Sequence, residues 1–435
     1  MPQSAAITEA PPRGGQPDDD DGDVFGPGLI TGAADDDPSG IATYSQAGAQ
    51  FRFGLLWALL LTTPLMIAVQ LISARIGYIT RRGLAANMAH ACPRWLTVAV
   101  VTGLVVANTI NIAADVTAMA EVSRLMLGGP QWLYVIAIGG LSAALQIWLS
   151  YEKTVRALKY LTLVLFTYVA VVLMVHVPWG RALHEAATPW QGLSAGNAKA
   201  YAAMLVAMLG TTISPYLFFW QATQEVEDDK RRGRHGDHDE ARMQRHLHCI
   251  RRDTCIGMGL SNGIALCIVL AAAVTLNLQG HTDVHSSAEA AQALEPVAGK
   301  AALALFALGV IGTGLLAIPV LAGSAAYAVS EVFGWRAGLS RRFQDARGFY
   351  AIILAATVLG TALSLFQVDA MAALVWSAVV NGVIAVPIMV VLMLIGSSQA
   401  VMGRFVVPRR TRVLGWVATA VMAAAAVAMF ATMAF

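Results

Sequence analysis

The chain has 435 residues, 57% of them hydrophobic and 13% charged, with a mean hydropathy of +0.61. That composition excludes a soluble enzyme and describes a polytopic membrane protein, since each spanning helix needs about 20 mostly apolar residues. The net charge of +2 says little in total, but the placement of the charges along the chain is informative.

Residues 1–23 are polar and acidic, closing on "PPRGGQPDDDDGD", and contain no apolar signal-peptide core. They read as a disordered tail ahead of a transmembrane domain over 24–435. Apolar runs alternating with polar breaks then predict an all-α membrane protein of about eleven spans. These lie near 25–50, 55–79, 95–122, 131–150, 157–178, 200–225, 254–277, 301–331, 348–366, 370–396 and 412–433. With a cytoplasmic N-terminus, only Arg52, Arg124, Arg181, Lys199 and Lys300 of the 29 Lys and Arg fall outside. A wrong span count would scramble that positive-inside pattern. The C-terminus is therefore expected outside the cell (inner or plasma) membrane. Cys92, Cys249 and Cys255 fall in or beside cytoplasmic loops and Cys267 in a span, so no disulfide framework is expected.

Span 1 carries "GAADDDPSGIATY" at residues 32–44. As a continuous helix this span would be about 39 Å long, which puts residues 35–40 near the bilayer midplane. There Pro38 removes a backbone donor, and Ser39 and Gly40 follow it, Gly40 favouring non-helical backbone. Span 6 has a comparable interruption, "LGTTISPYLFFWQ" at 209–221, where Gly210, Thr211, Thr212, Ser214 and Pro215 break an apolar run. Unwound backbone at that depth is tolerated only inside protein or along a cavity. The two breaks sit five spans apart in helices of opposite direction, the pattern of two inverted repeats around a midplane site. The repeats would cover about 24–180 and 198–396, with 412–433 as an extra helix. Two plainer readings stand beside this one. The aspartates could cap a short helix at the cytoplasmic surface, and Pro215 could be a simple kink.

A midplane carboxylate is costly unless paired or solvated, and no Lys or Arg lies at matching depth in any span. A transported cation is the natural partner. Asp37, the hydroxyls of Thr211 and Ser214, and carbonyls freed at the breaks form an all-oxygen set suited to hard divalent ions such as Mg²⁺, Ca²⁺ and Mn²⁺. With so few protein ligands, the ion would keep several waters. Asp35 and Asp36 are assigned to the inner vestibule or the hydration shell.

"GPGLITGAADDDPSGIATYSQAG" and "GTTISPYLFFWQATQEVE" resemble the span 1 and span 6 signatures of the Nramp (natural resistance-associated macrophage protein) divalent-metal transporters. The resemblance implies a LeuT-like fold with helices 1 and 6 unwound at mid-membrane. The family's Asp-Pro-Gly-Asn motif falls on Asp37, Pro38, Ser39 and Gly40, so the metal-binding aspartate is matched and the asparagine is not. The family's Met-Pro-His falls on Ser214, Pro215 and Tyr216, and its carbonyl-donating alanine on Thr211. Loss of the sulfur and of two side-chain ligands makes the site similar to the Nramp-related magnesium transporter branch, in which the ion stays largely hydrated and both Mg²⁺ and Mn²⁺ pass.

Span 3 holds "ANTINIAADVTAMAE" at 107–121. Proton-coupled Nramps resemble this stretch but carry an Asp and a Glu three residues apart. Here Asp115 matches the first, the second is Ala118, and Glu121 lies on another face. The expectation is facilitated uptake of Mg²⁺ (and Mn²⁺) driven by membrane potential, worth about 4.6 kcal/mol per 100 mV for a divalent ion at ~2.3 per charge. The alternative is a proton-coupled Mn²⁺ symporter. Asp115 is read either as a vestibule residue or as a hydrogen-bond partner of Asn108 or Asn111. Asn381 either lines the cavity or bonds a neighbouring helix. His235, His238, His246 and His248 in "HGDHDEARMQRHLHC" read as a solvated basic loop, with no tetrahedral ligand spacing. Gln221, Gln224, Glu225 and Glu227 either line the inner exit or end span 6. An intramembrane aspartyl protease is disfavoured because no Gly-x-Gly-Asp element is present, and an amino-acid transporter because the aspartates repel a carboxylate substrate. The chain is thus read as no enzyme, without cofactor or nucleic-acid partner. It is taken as a monomer in the lipid bilayer whose partner is the transported ion.

Overall fold

The computed structural model describes residues 26–148, 163–188, 198–231, 240–277 and, apart from 281, 285, 340, 367 and 368, residues 280–434. The acidic tail lies outside the described residues, as do His235 and His238. Regular structure among the described residues is helical throughout.

Span 1 is two helices, α1 (Pro27–Asp35) and α2 (Pro38–Phe51). Asp36 leaves the helix at φ −83° and ψ 54°, and Asp37 is extended at φ −74° and ψ 171°. Pro38 then begins α2, a position where its missing N–H has no intrahelical partner to lose. There follow α3 (Leu56–Thr80), α4 (Leu84–Ala91), α5 (Arg94–Leu127) and α6 (Gln131–Trp148). Of the fifth predicted span, residues 163–178 are described. They form a short 3₁₀ turn and α7 (Phe166–Met174), bent by 110° from α8 (Trp179–Ala187).

The second half repeats the broken design. Span 6 is α9 (Ala198–Thr212) and α10 (Pro215–Arg231), and Pro215 opens α10 as Pro38 opens α2. Then come α11 (Glu240–Thr275), a short α12 (Ser287–Gln292), α13 (Ala302–Phe333), α14 (Arg347–Ser364), α15 (Ala370–Ser397) and α16 (Arg409–Ala434). Nine of the described helical stretches are long and apolar enough to cross a membrane, or ten with the bent α7–α8 pair. The α1–α2 pair comes in addition as the broken helix at the centre of the bundle.

One boundary needs correction. α11 starts at Glu240 rather than near residue 254, so the basic loop is helical over its second half. Residues 240–253 contain no Gly or Pro and are rich in strong helix formers, so the helix propagates beyond its apolar part.

Small residues set how closely the central helices approach. A Cβ on Gly32 of α1 would run into the backbone of Gly257 on α11, and one on Gly210 of α9 into the Ala378 carbonyl of α15. Backbone-to-backbone packing of this kind replaces the hydrophobic driving force that lipid removes. α5 packs on α13, α14 and α15, while α16 lies against α3 and α15.

Candidate cation site at the two helix breaks

The breaks meet at Gly40. Its Cβ position would lie 3.2 Å from Thr211 Oγ1 and 3.5 Å from the Asp35 carbonyl oxygen. The C-terminal ends of α1 and α9 thus converge on one point, and the last carbonyls of each helix lack intrahelical donors. Both ends carry the negative pole of the helix dipole, which favours a cation between them. At Gly40 the space is therefore taken up by Thr211 and the α1 terminus. An asparagine there would have to push Thr211 aside.

Asp37 has two jobs. Its Oδ1 accepts from the Gly40 N–H at 2.8 Å and from Ser39 Oγ at 2.7 Å, capping α2. Its Oδ2 accepts from Asn111 Nδ2 of α5 at 2.9 Å, and Asn111 Oδ1 in turn accepts from Ser377 Oγ of α15 at 2.8 Å. The capping reading of the aspartates is thus half right, but the cap is buried at the centre of the bundle, not at a surface.

Asp35 and Asp36 turn the other way, to α11. Ser261 Oγ lies 2.6 Å from Asp35 Oδ2 and 3.1 Å from Asp36 Oδ1. Asp35 Oδ1 has no hydrogen-bond partner among the described residues. Across the break, the Tyr216 hydroxyl donates to the Ala34 carbonyl at 3.0 Å, and Tyr44 pairs with the Thr211 side chain. The Ser214 hydroxyl lies 2.8 Å from both the Gly210 and Thr211 carbonyls, holding the frayed end of α9.

Of the two readings of Asp115, the hydrogen bond to Asn108 or Asn111 is not formed. Asn108 donates to the Leu321 carbonyl and to Ser324, and Asn111 is engaged with Asp37. Both Asp115 oxygens lack a hydrogen-bond partner among the described residues, and the group feels the Asp37 charge. The Asn381 carboxamide oxygen is likewise without a hydrogen-bond partner among the described residues. Glu121 faces elsewhere, as its register implies. It accepts from Ser287 N–H and Oγ at 3.3 and 2.8 Å, anchoring the start of α12.

Asp35, Asp36, Asp37 and Asp115 are 1%, 4%, 2% and 0% exposed, and none is in a salt bridge among the described residues. Nor do three His, Cys, Asp or Glu side chains come together as a ready chelate among those residues. The site is a field of buried acceptors rather than a tight cage, which suits a cation that brings its own water. Ser261 and Ser377 escaped the sequence reading. The available signals were the polar pair Ser261–Asn262 inside an apolar span, and the position of Ser377 one turn before Asn381. Ser261→Ala removes the one hydroxyl donor that the Asp35 and Asp36 carboxylates share. It should cost about 1–3 kcal/mol of stability and slow metal uptake several-fold. A variant with unchanged melting and initial rate would show that those bonds carry nothing.

An all-helical bundle with two helices broken at the same depth, its acceptors facing the breaks, defines the broken-helix secondary transporter class. Its structure resembles Mhp1, a nucleobase-cation-symport-1 family transporter, at TM-score 0.51 with 13% identity, over 93% of this chain and 92% of the other. The likeness to the Eremococcus coleocola manganese transporter is greater, at TM-score 0.71 and 17% identity, over 93% of this chain and 85% of that one. The family model "Natural resistance-associated macrophage protein-like" (Nramp) matches residues 28–432, and the chain belongs to that family. Among its relatives is the divalent metal cation transporter MntH of Mycobacterium tuberculosis (strain CDC 1551 / Oshkosh), 26% identical over 91% of this chain and 88% of that protein. The MntH of Aeromonas hydrophila is 27% identical over 67% of this chain and 69% of its own length.

Proposed function

We propose that this protein carries divalent metal ions across the cell membrane, and that its preferred cargo is hydrated Mg²⁺, with Mn²⁺ also passing, by facilitated uptake without proton coupling. One observation carries the reading: the donors around the breaks are all oxygen, with four buried carboxylates and no sulfur or imidazole at the positions where the family places them. Oxygen donors of this kind do not select softer transition metals over Mg²⁺, and an ion with few protein ligands retains water. The metal contacts assigned are Asp37, Gly40 at the start of α2, Thr211 and Ser214. Asp35, Asp36, Asp115, Tyr216 and Asn381 surround the hydrated ion, and Pro38, Ser39 and Pro215 shape the breaks. Repeats at about 24–180 and 198–396 would rock around this point, with the N-terminus cytoplasmic, the C-terminus outside and the chain acting as a monomer.

Absence of proton coupling is supported by Ala118, where proton-coupled relatives are expected to carry a Glu, and by the engagement of Glu121 with Ser287. A second reading, proton-coupled Mn²⁺ symport, draws on the unpartnered carboxylate of Asp115 next to Asp37 and on the MntH relatives. Proteoliposomes loaded with Mg²⁺-, Mn²⁺- and pH-sensitive dyes separate the two. Under an inside-negative potential, Mg²⁺ should enter, excess Mg²⁺ should suppress Mn²⁺ entry, and the lumen should not acidify. Mn²⁺ entry indifferent to Mg²⁺ would sink the magnesium reading, and acidification in step with metal entry would establish symport.

A further inference from the structure

α10 continues from the break as a polar, buried stripe that the site above does not use. Gln221 and Glu225 are one turn apart on the same helical face, 0% and 1% exposed, and Asp228 follows one turn further, also buried. Glu225 lies about 15 Å along the helix axis from Pro215. Both of its carboxylate oxygens lack a hydrogen-bond partner among the described residues. Its ion-pair partner is His246 of α11, whose Nε2 is 3.8 Å away, beyond hydrogen-bonding distance, and whose ring lies 4.3 Å from that of Tyr78. Gln221 donates through Nε2 to Thr254 Oγ1 at 2.8 Å, which leaves its carboxamide oxygen buried and unpartnered. Two buried acceptors thus stand one turn apart on α10, with the His246 imidazole, 3.8 Å from Glu225, as the neighbouring donor. The surrounding charge deepens the imbalance, since Glu225 also feels Asp228 and Asp253. Asp253 is itself engaged by the N-terminus of α1, accepting from the Gly28 N–H at 2.6 Å.

A buried carboxylate is costly unless compensated, and among the described residues the one positive partner beside Glu225 is the His246 imidazole, 3.8 Å away and charged only when protonated. A neutral donor would satisfy one oxygen, whereas a divalent cation satisfies carboxylate and carboxamide together. We propose that Gln221 Oε1 and the Glu225 carboxylate form a second station for a hydrated divalent cation, between the broken-helix site and the far end of α10. With two protein oxygens and His246 at its edge, the ion holds the rest of its shell as water, as Mg²⁺ and Mn²⁺ do. An ion leaving the break travels along α10 and meets this station next. The inference rests on the reading of the chain as a cation transporter.

The experiment is Mn²⁺ binding to the detergent-purified full chain by equilibrium dialysis, with paramagnetic resonance of bound Mn²⁺, in parallel with proteoliposome uptake. The wild type should bind two Mn²⁺, and Asp37→Asn and Glu225→Gln one each. Gln221→Leu, which removes the acceptor without touching a charge, should weaken the second ion at least tenfold. Uptake by Glu225→Gln should keep its half-saturating concentration within twofold while its maximal rate falls at least threefold. If Glu225→Gln and Gln221→Leu melt lower but bind two Mn²⁺ with unchanged affinity, the pair is structural and the station is overturned. If the wild type binds a single Mn²⁺ that Asp37→Asn abolishes, the station is overturned while the transport reading stands. Absence of Mg²⁺ and Mn²⁺ uptake by the wild type would instead overturn the transport reading, and uptake unaffected by Asp37→Asn would move the first cation site away from the break.

Discussion

Asp37→Asn should reduce metal uptake to the background of empty liposomes while leaving the protein folded. The two halves of the Asp37 carboxylate do different work, and the substitution separates them. Oδ1 caps α2 through Gly40 and Ser39, and an asparagine oxygen accepts the same two bonds. What disappears is the charge and the second acceptor, which now confronts the Asn111 amide donor with another donor. A charge-assisted contact to a cation in a buried site is worth at least as much as a hydrogen bond to a charged group, about 1.5–3 kcal/mol. Each 1.4 kcal/mol is tenfold in affinity, so the loss is about ten- to a hundredfold or more. Asp37→Ala should do the same and also lose about 1 kcal/mol of capping stability. The comparison of initial uptake rates and melting temperatures checks both parts. Wild-type uptake in Asp37→Asn would remove the carboxylate from the site.

The second large effect is on packing. Gly210→Val should collapse the yield of monodisperse protein. α9 crosses α15 with Gly210 pressed on the backbone of Ala378 and Gly382, and no flexible side chain is there to yield. Overpacking in a well-filled core costs about 1–3 kcal/mol and sometimes more. The strain falls one residue before Thr211, so the end of α9 moves as well. Gly140→Ala on α6 is the control, since nothing lies within 4 Å of its Cβ position. Size-exclusion profiles and melting curves of the two variants should diverge sharply. Equal behaviour would mean that α9 and α15 can separate without loss.

Much of this architecture is legible in the chain, and the reasons are local. The ends of α2 and α10 follow from Pro38 and Pro215, whose missing N–H is tolerated at a helix start whatever the surroundings. The spans follow from apolar length alone. The start of α11 was missed because hydropathy ends where the bilayer ends, whereas helix propagation depends on the absence of Gly and Pro. The number of spans cannot be read from one helical stretch at a time, since α1 and α2 are each too short to count and α7 turns sharply into α8.

The sequence by itself determined that three aspartates stand at a helix break near mid-membrane, and that no Lys or Arg at that depth can neutralise them. Residue types and spacing suffice for that, because a carboxylate at membrane depth is costly in any fold that leaves it unpaired and unsolvated. Only the tertiary structure decided how the three divide. Asp37 turns to Asn111, 74 positions away, and Asp35 and Asp36 to Ser261, 226 and 225 positions away. Asp115 is left without either asparagine. Those outcomes depend on which of α5, α11 and α15 crosses the break on which side. The crossings are set by small residues such as Gly32, Gly210 and Gly257 at contacts far apart in the chain.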